Sequence, residues 1–192
     1  MKVLKTLIII STIVFFTSCK NKPDTIDSKK IELTTEIKSI KKRILKENSF
    51  GKLKLVKGMS LTEKGLKEIF PNDSISKNIG EQDGPNYFFY TIGVEAVLKT
   101  PTTENETLSE LQIQEKSTVA DVYGVKIGMT YADLKERRSN LTISTEHFHI
   151  YLSKEGSNIH YEMAIPESNG PDKSEYTFED LKKSKVISII WK

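Results

Sequence analysis

The chain has 192 residues, 37% hydrophobic and 29% charged, with 29 Lys and Arg set against 26 Asp and Glu. A net charge of +3 with both signs interleaved supplies no basic face for nucleic acid, and the pI of about 8.7 reflects abundant lysine rather than a charged patch. Cys19 is the only cysteine, which excludes a disulfide framework, a Cys-based metal site and a catalytic thiol from the rest of the chain.

The N-terminus opens with Lys2 and Lys5, continues through an apolar run from Leu7 to Phe16, and reaches Thr17-Ser18-Cys19. A charged start, an apolar stretch and small residues before a break form an export signal. The stretch falls short of the roughly 20 apolar residues that a spanning helix needs. Phe16-Thr17-Ser18-Cys19 resembles a lipobox, with Phe16 where Leu is usual. That resemblance implies removal of a signal peptide (residues 1–18), a diacylglyceryl thioether on Cys19 and a further acyl chain, such as palmitate, on its amine. Each buried methylene contributes about 0.8 kcal/mol, so two or three chains hold a protein on lipid almost permanently. Lys20 follows the cysteine where an Asp would favour inner-membrane retention. The expected location is therefore the outer membrane.

Residues 19–50 read as a tether. Lys20 to Lys30 is polar and contains Pro23, whereas Ile37, Ile40 and Ile44 recur at helical spacing. A short amphipathic helix over 31–45 is predicted; docking on the domain, lying on the membrane and remaining loose are all open to it. As a coil, this length reaches roughly 30 Å root-mean-square.

A weak repeat follows. Gly58-Met59-Ser60-Leu61-Thr62-Glu63 stands beside Gly128-Met129-Thr130-Tyr131-Ala132-Asp133. Ser60 with Glu63, and Thr130 with Asp133, have capping-box spacing. Helices are predicted over 61–70, stopped by Pro71, and over 131–138. Strands are predicted over 74–79, 86–93, 94–99 and 109–115, then over 141–145, 147–153, 158–165 and 185–191. The fold class expected is α+β: two weakly repeated strand–turn–helix–antiparallel-strand halves, about 51–120 and 121–192, forming one domain over 51–192.

The C-terminal half carries a resemblance. Gly124-Val125-Lys126-Ile127-Gly128, Asp133-Leu134, Glu155-Gly156-Ser157, Ile159, Tyr161, Gly170-Pro171, Leu181-Lys182 and the closing Lys185-Val186 and Ile189-Ile190-Trp191-Lys192 follow in an order and spacing similar to an uncharacterised family of bacterial envelope lipoproteins. Some members of that family are controlled by the envelope-stress sigma factor RpoE. The similarity covers about residues 122–192. It implies an envelope location and a link to envelope stress, and assigns no catalytic residue.

The chemistry-bearing residues gather on one predicted hairpin. Strands 147–153 and 158–164, joined at Glu155-Gly156 with Ser153 opposite Asn158, place Phe148, Ile150, Leu152, Ile159, Tyr161 and Met163 on a core face. The other face receives His147, His149, Tyr151, His160 and Glu162, with His149 opposite Glu162 and His160 opposite Tyr151. Imidazoles and a carboxylate are zinc or copper ligands, so these four His and Glu residues are candidate metal ligands. The plainer reading is the solvated face of a one-sided sheet. Glu81-Gln82-Asp83-Gly84 lacks the ligand count of a calcium loop and reads as a surface turn. Trp191 and Tyr176 are open to a ligand contact or to core packing. No Gly-x-Ser-x-Gly elbow, His-Glu-x-x-His or phosphate loop occurs.

The function expected from the sequence is a non-enzymatic envelope lipoprotein with no cofactor. It would hold membrane lipid through acylated Cys19 and bind another envelope component, through a groove or a strand edge. The alternative is an enzyme or a small-ligand or metal binder, using a pocket between the halves or the histidine face of residues 147–164.

Overall fold

The structure, a computed structural model, describes residues 43–81, 84–166 and 175–192. Cys19 and its signal, the tether to residue 42, Gln82-Asp83 and Gly170-Pro171 lie outside the described residues. The elements in chain order are β1 (Ile44–Lys46), β2 (Ser49–Phe50), β3 (Leu53–Lys54), α1 (Glu63–Ile69), β4 (Ile75–Gly80), β5 (Tyr87–Ile92), β6 (Ala96–Lys99) and β7 (Glu110–Ile113). They continue as β8 (Ala120–Asp121), α2 (Tyr131–Arg137), β9 (Thr142–Glu146), β10 (His149–Ser153), β11 (Ile159–Met163) and β12 (Val186–Trp191).

The expectation of α+β is corrected by these elements. Twelve strands form an eight-stranded and a four-stranded sheet among the described residues, and each of the two helices has only seven residues. Two turns of helix cannot make a layer, so sheet dominates the architecture. The helices end close to where the sequence predicts, for local reasons. Pro71 follows Phe70, which caps the first, and Arg138 leaves the second in an extended conformation (φ −143, ψ 109). Residues 44–50, read from sequence as the end of the tether, form β1 and β2. Leu45 and Phe50 on these strands are fully buried. Strands of two or three residues are too short to show a period, and Ile44 had fallen into a helical one instead.

The large sheet runs β4-β5-β6-β7-β12-β11-β10-β9, antiparallel throughout. It is two four-stranded meanders joined where Leu111 pairs Trp191 and Gln112 pairs Ile190. The small sheet runs β3-β2-β1-β8. A helix followed by four strands thus occurs twice, and the Gly-Met segments before the helices bond alike. Gly58 N donates to Leu108 O and Met59 O accepts from Leu108 N; Gly128 N donates to Val186 O and Met129 O accepts from Val186 N. Both glycines have φ near the left-handed region (80 and 87), which explains why each copy needs one. The capping differs. Thr130 and Asp133 make the predicted capping box, but α1 is capped by Thr62, whose Oγ1 accepts from Gly65 N at 3.1 Å. Ser60 bridges Thr107 and Leu61 N bonds Glu106 O, which keeps the chain extended two residues longer.

Alternation places one row per strand on the core side: Tyr90 and Ile92, Ala96 and Leu98, Leu111 and Ile113, Ile189 and Trp191, Ile159 and Tyr161, Ile150 and Leu152. Leu66 of α1, Tyr131 and Leu134 of α2, and Leu45, Phe50 and Leu53 of the small sheet belong to the same apolar cluster. Helices and small sheet therefore lie on one side of the large sheet. Leu98→Ala should cost about 2–5 kcal/mol, because Leu98 is wholly buried, whereas Ile79→Ala, 57% exposed on the edge strand, should cost about 0.5 kcal/mol or less. Urea unfolding of both variants measures the difference; equal losses would contradict this contrast between the buried centre and the exposed edge of the sheet.

Candidate functional site

Two polar groupings stand out, one on the side of the large sheet away from the core and one inside it. The outer side carries Tyr87 and Phe89 on β5, Lys99 on β6, Glu110 and Gln112 on β7, His160 and Glu162 on β11, and His149 and Tyr151 on β10, by the same alternation.

The histidine hairpin differs from its predicted geometry. Ser153 pairs with His160 and Tyr151 with Glu162, a shift of two residues, because residues 154–157 form the turn, closed by Ser157 N donating to Lys154 O at 3.0 Å. A shift of two preserves the faces. His147 and Phe148 do not continue β10. They are the two-residue turn between β9 and β10, both with positive φ (45 and 70), the geometry of a primed hairpin turn. Phe148 is accordingly 64% exposed and not core. His149 lies diagonal to Glu162, and its Nδ1 sits 2.5 Å from Glu162 Oε1. His149 also stacks on Tyr151, centroids 6.0 Å apart at 18°. Lys192 Nζ lies 4.6 Å from the Tyr151 ring centre. Burial, then the charges of Glu162, Glu110 and Glu146, pushes the Tyr151 hydroxyl up to about 12. His149 and Glu162 are thus brought together and His147 is carried away on the turn. Among the described residues no group of three His, Cys, Asp or Glu is placed to hold a metal ion.

The interior grouping centres on Arg138, 3% exposed. Its Nη1 donates to Ile159 O at 3.1 Å and to Tyr161 Oη at 3.0 Å; its Nη2 bonds Ser157 Oγ and lies 3.5 Å from Glu47 Oε1. The guanidinium sits 4.4 Å and 5.3 Å from the ring centres of Tyr123 and Tyr161. Tyr161 Oη donates to Asp121 Oδ2, and Asp121 Oδ1 accepts from Tyr123 N and Val125 N at 2.9 and 2.8 Å. Burial raises the Asp121 carboxyl above its ordinary range despite these bonds and the Arg138 charge. Glu47, in the turn between β1 and β2, goes the other way. Burial pushes it up, but donors from Ser157, Asn158 and Tyr123 and the Arg138 charge outweigh that and hold it low. Glu47 O also accepts from Trp191 Nε1 at 2.7 Å, which makes Trp191 a buried core residue with a satisfied indole. Sequence reasoning missed this network, because its members come from five separated segments; the only local trace was Asp121 at the head of a tight turn.

A shallow groove of about 330 Å³ lies on the outer side at the β5–β6–β7 end, lined by Pro85, Tyr87, Lys99, Pro101 and Glu110 among others. A smaller cleft of about 70 Å³ lies between α1 and Leu53. Among the described residues no helix is long and apolar enough to cross a membrane.

These elements define the class: a mostly-β protein built on one eight-stranded antiparallel sheet, with helices and a small sheet on one side only. A solved structure shares that fold: the uncharacterized protein YfeY from Escherichia coli, with a TM-score of 0.58 and 23% identity, covering 78% of this chain and 99% of that one. No protein-family model matches the sequence, and no curated protein does.

Arg138→Met should destabilise the fold by about 3–5 kcal/mol, since it strips a buried cation from buried acceptors, and Arg138→Lys should recover only part of this, a point charge being unable to reach all four partners. Urea unfolding checks it; a loss below about 1 kcal/mol would contradict the hub. A second outcome concerns pH. Burial and the Lys192 and Arg138 charges hold His160 below its ordinary 6.5. The unfolded chain therefore takes up a proton near pH 6.5 that the folded chain refuses, so the stability present above that pH is lost as pH falls toward the folded value. His160→Gln should flatten the stability profile between roughly pH 5 and 7; an unchanged slope would contradict this.

Proposed function

We propose that this protein is an envelope lipoprotein of the binding type: a β domain tethered to the outer membrane by lipid on Cys19, presenting the outer side of its large sheet to another envelope component. The observation that carries the proposal is the one-sidedness of that sheet. The described helices and the small sheet all bury their side chains in the core on one side, leaving the other with aromatic rings, paired charges and a groove. Such a surface suits recognition of a wet, polar partner. A link to envelope stress follows from the family resemblance of residues 122–192 and is part of the same proposal.

The lipobox-like Phe16-Thr17-Ser18-Cys19, the single cysteine and the Lys20 that follows it support the anchor and the outer membrane. Cys19→Ser should leave the chain uncut and move it out of the outer-membrane fraction on gradient separation; wild-type processing and location in that variant would contradict the anchor. For the contact face, a photoactivatable residue at Phe89 should crosslink in intact cells, and one at Val94, 63% exposed in the turn after β5, should not. Crosslinks from Val94 alone would contradict the choice of face.

A further inference from the structure

The groove at the β5–β6–β7 end carries an inference that rests on the binding reading above and gives its ligand a chemical class. We propose that it binds a neutral saccharide unit of a glycan chain, with Tyr87 as the stacking platform and the Lys99–Glu110 pair as the hydroxyl clamp.

The platform comes first. Tyr87 pairs with Gly80 across the sheet edge, and a Cβ built on Gly80 would meet the Tyr87 ring at 2.3–2.7 Å. The ring therefore lies over the glycine, directly against the neighbouring strand, in space that any other residue at position 80 would fill. An aromatic side chain laid over a strand glycine is held in place by that contact. Tyr87 also lines the groove, so the ring is shared between the strand and the open space beside it. Phe89, next along the same face, tilts against Tyr87 at 6.4 Å. Pro85 and Pro101 form rigid walls.

The charges select the ligand. Lys99 Nζ lies 2.8 Å from Glu110 Oε1, and both side chains are about one-quarter exposed. Paired in this way, they offer no net charge to an anion or a cation. Each keeps unused capacity: the ammonium has three donors and the carboxylate about four acceptor sites. A ligand matching an adjacent donor and acceptor of this kind must itself donate and accept at neighbouring atoms, as adjacent hydroxyls do. Together, an apolar ring face, rigid walls and a donor–acceptor pair without net charge fit the C–H face and hydroxyl edge of a neutral sugar. A proline-rich peptide also uses aromatic and proline-lined grooves, but its prolines carry no N–H, so it offers few donors to the acceptor sites that Glu110 keeps beside Lys99.

The test uses the full chain in detergent, titrated with chitotetraose, maltotetraose and a proline-rich peptide, with backbone amides followed by NMR. A saccharide is expected to shift Gly80, Tyr87, Lys99 and Glu110 at millimolar concentration. Tyr87→Ala should weaken that binding about tenfold, Tyr87→Phe should retain it, and Lys99→Met should weaken it several-fold with the fold intact by melting temperature. Phe148→Ala, on a distant turn, should change nothing. Shifts confined to other surfaces, binding indifferent to Tyr87→Ala and Lys99→Met, or perturbation of the groove by the peptide but by neither saccharide would overturn the inference. No saccharide binding together with persistent crosslinks from Phe89 in cells would remove the saccharide and leave the binding face; loss of both would remove both.

Discussion

The two residue pairs that join β7 to β12 set everything else. Leu111 with Trp191 and Gln112 with Ile190 turn two separate meanders into one eight-stranded sheet. A four-stranded meander with one apolar face cannot bury that face alone. Joined edge to edge, the two present a single apolar surface, and it is covered by two short helices and a small sheet drawn from both halves. The same pairing fixes parity across the seam, since a slip of one residue would set Leu111 opposite Ile190 and turn one meander's apolar row outward while the other's stayed inward. The outer face of the sheet, with its aromatic rings and paired charges, is a consequence of that register.

The β1–β2 hairpin reinforces the join from the core side. Arg43, at its start, pairs with Asp73 and Glu95 from the first half and lies over the rings of Phe50 and Phe70. Glu47, at its turn, binds Ser157, Asn158 and Arg138 from the second half. One hairpin is thus clamped to both meanders, and it lies within the stretch read from sequence as the end of the tether. Arg138 is the costly part of this arrangement: a cation out of water is tolerated because two aromatic rings, a backbone carbonyl and two hydroxyls surround it and two carboxylates lie close by.

Much of the large sheet was legible in the sequence. Its eight strands follow from period-two alternation, and both Gly-Met turns and the Thr130 cap follow from local chemistry. What failed did so for identifiable reasons. The helices are too short to make a layer: both end where the sequence predicts to within a residue, and the Ser60–Thr107 bridge delays the start of α1 to Glu63. β1 and β2 were invisible because two or three residues show no period. The turn at His147-Phe148 lacked the usual Asn-Gly signal, so two residues in left-handed conformation read as strand. In the site, the His149–Glu162 contact was legible because cross-strand neighbours follow from register, even with the register two residues out. The Arg138 network and the Tyr87 groove were not, because they join residues far apart in sequence.

The proposed working surface is the side of the sheet away from the core. Cysteine labelling tests it directly, because the chain's own Cys19 is expected to be blocked by lipid. Single cysteines at Glu110 and Gln112 on the outer face, and at Val94 and Phe148 on turns, are reacted with a maleimide in intact cells permeabilised at the outer membrane and in purified protein. Glu110→Cys and Gln112→Cys should be protected in cells relative to the purified chain, while Val94→Cys and Phe148→Cys react alike in both. Equal reactivity of all four positions in the two settings would contradict it.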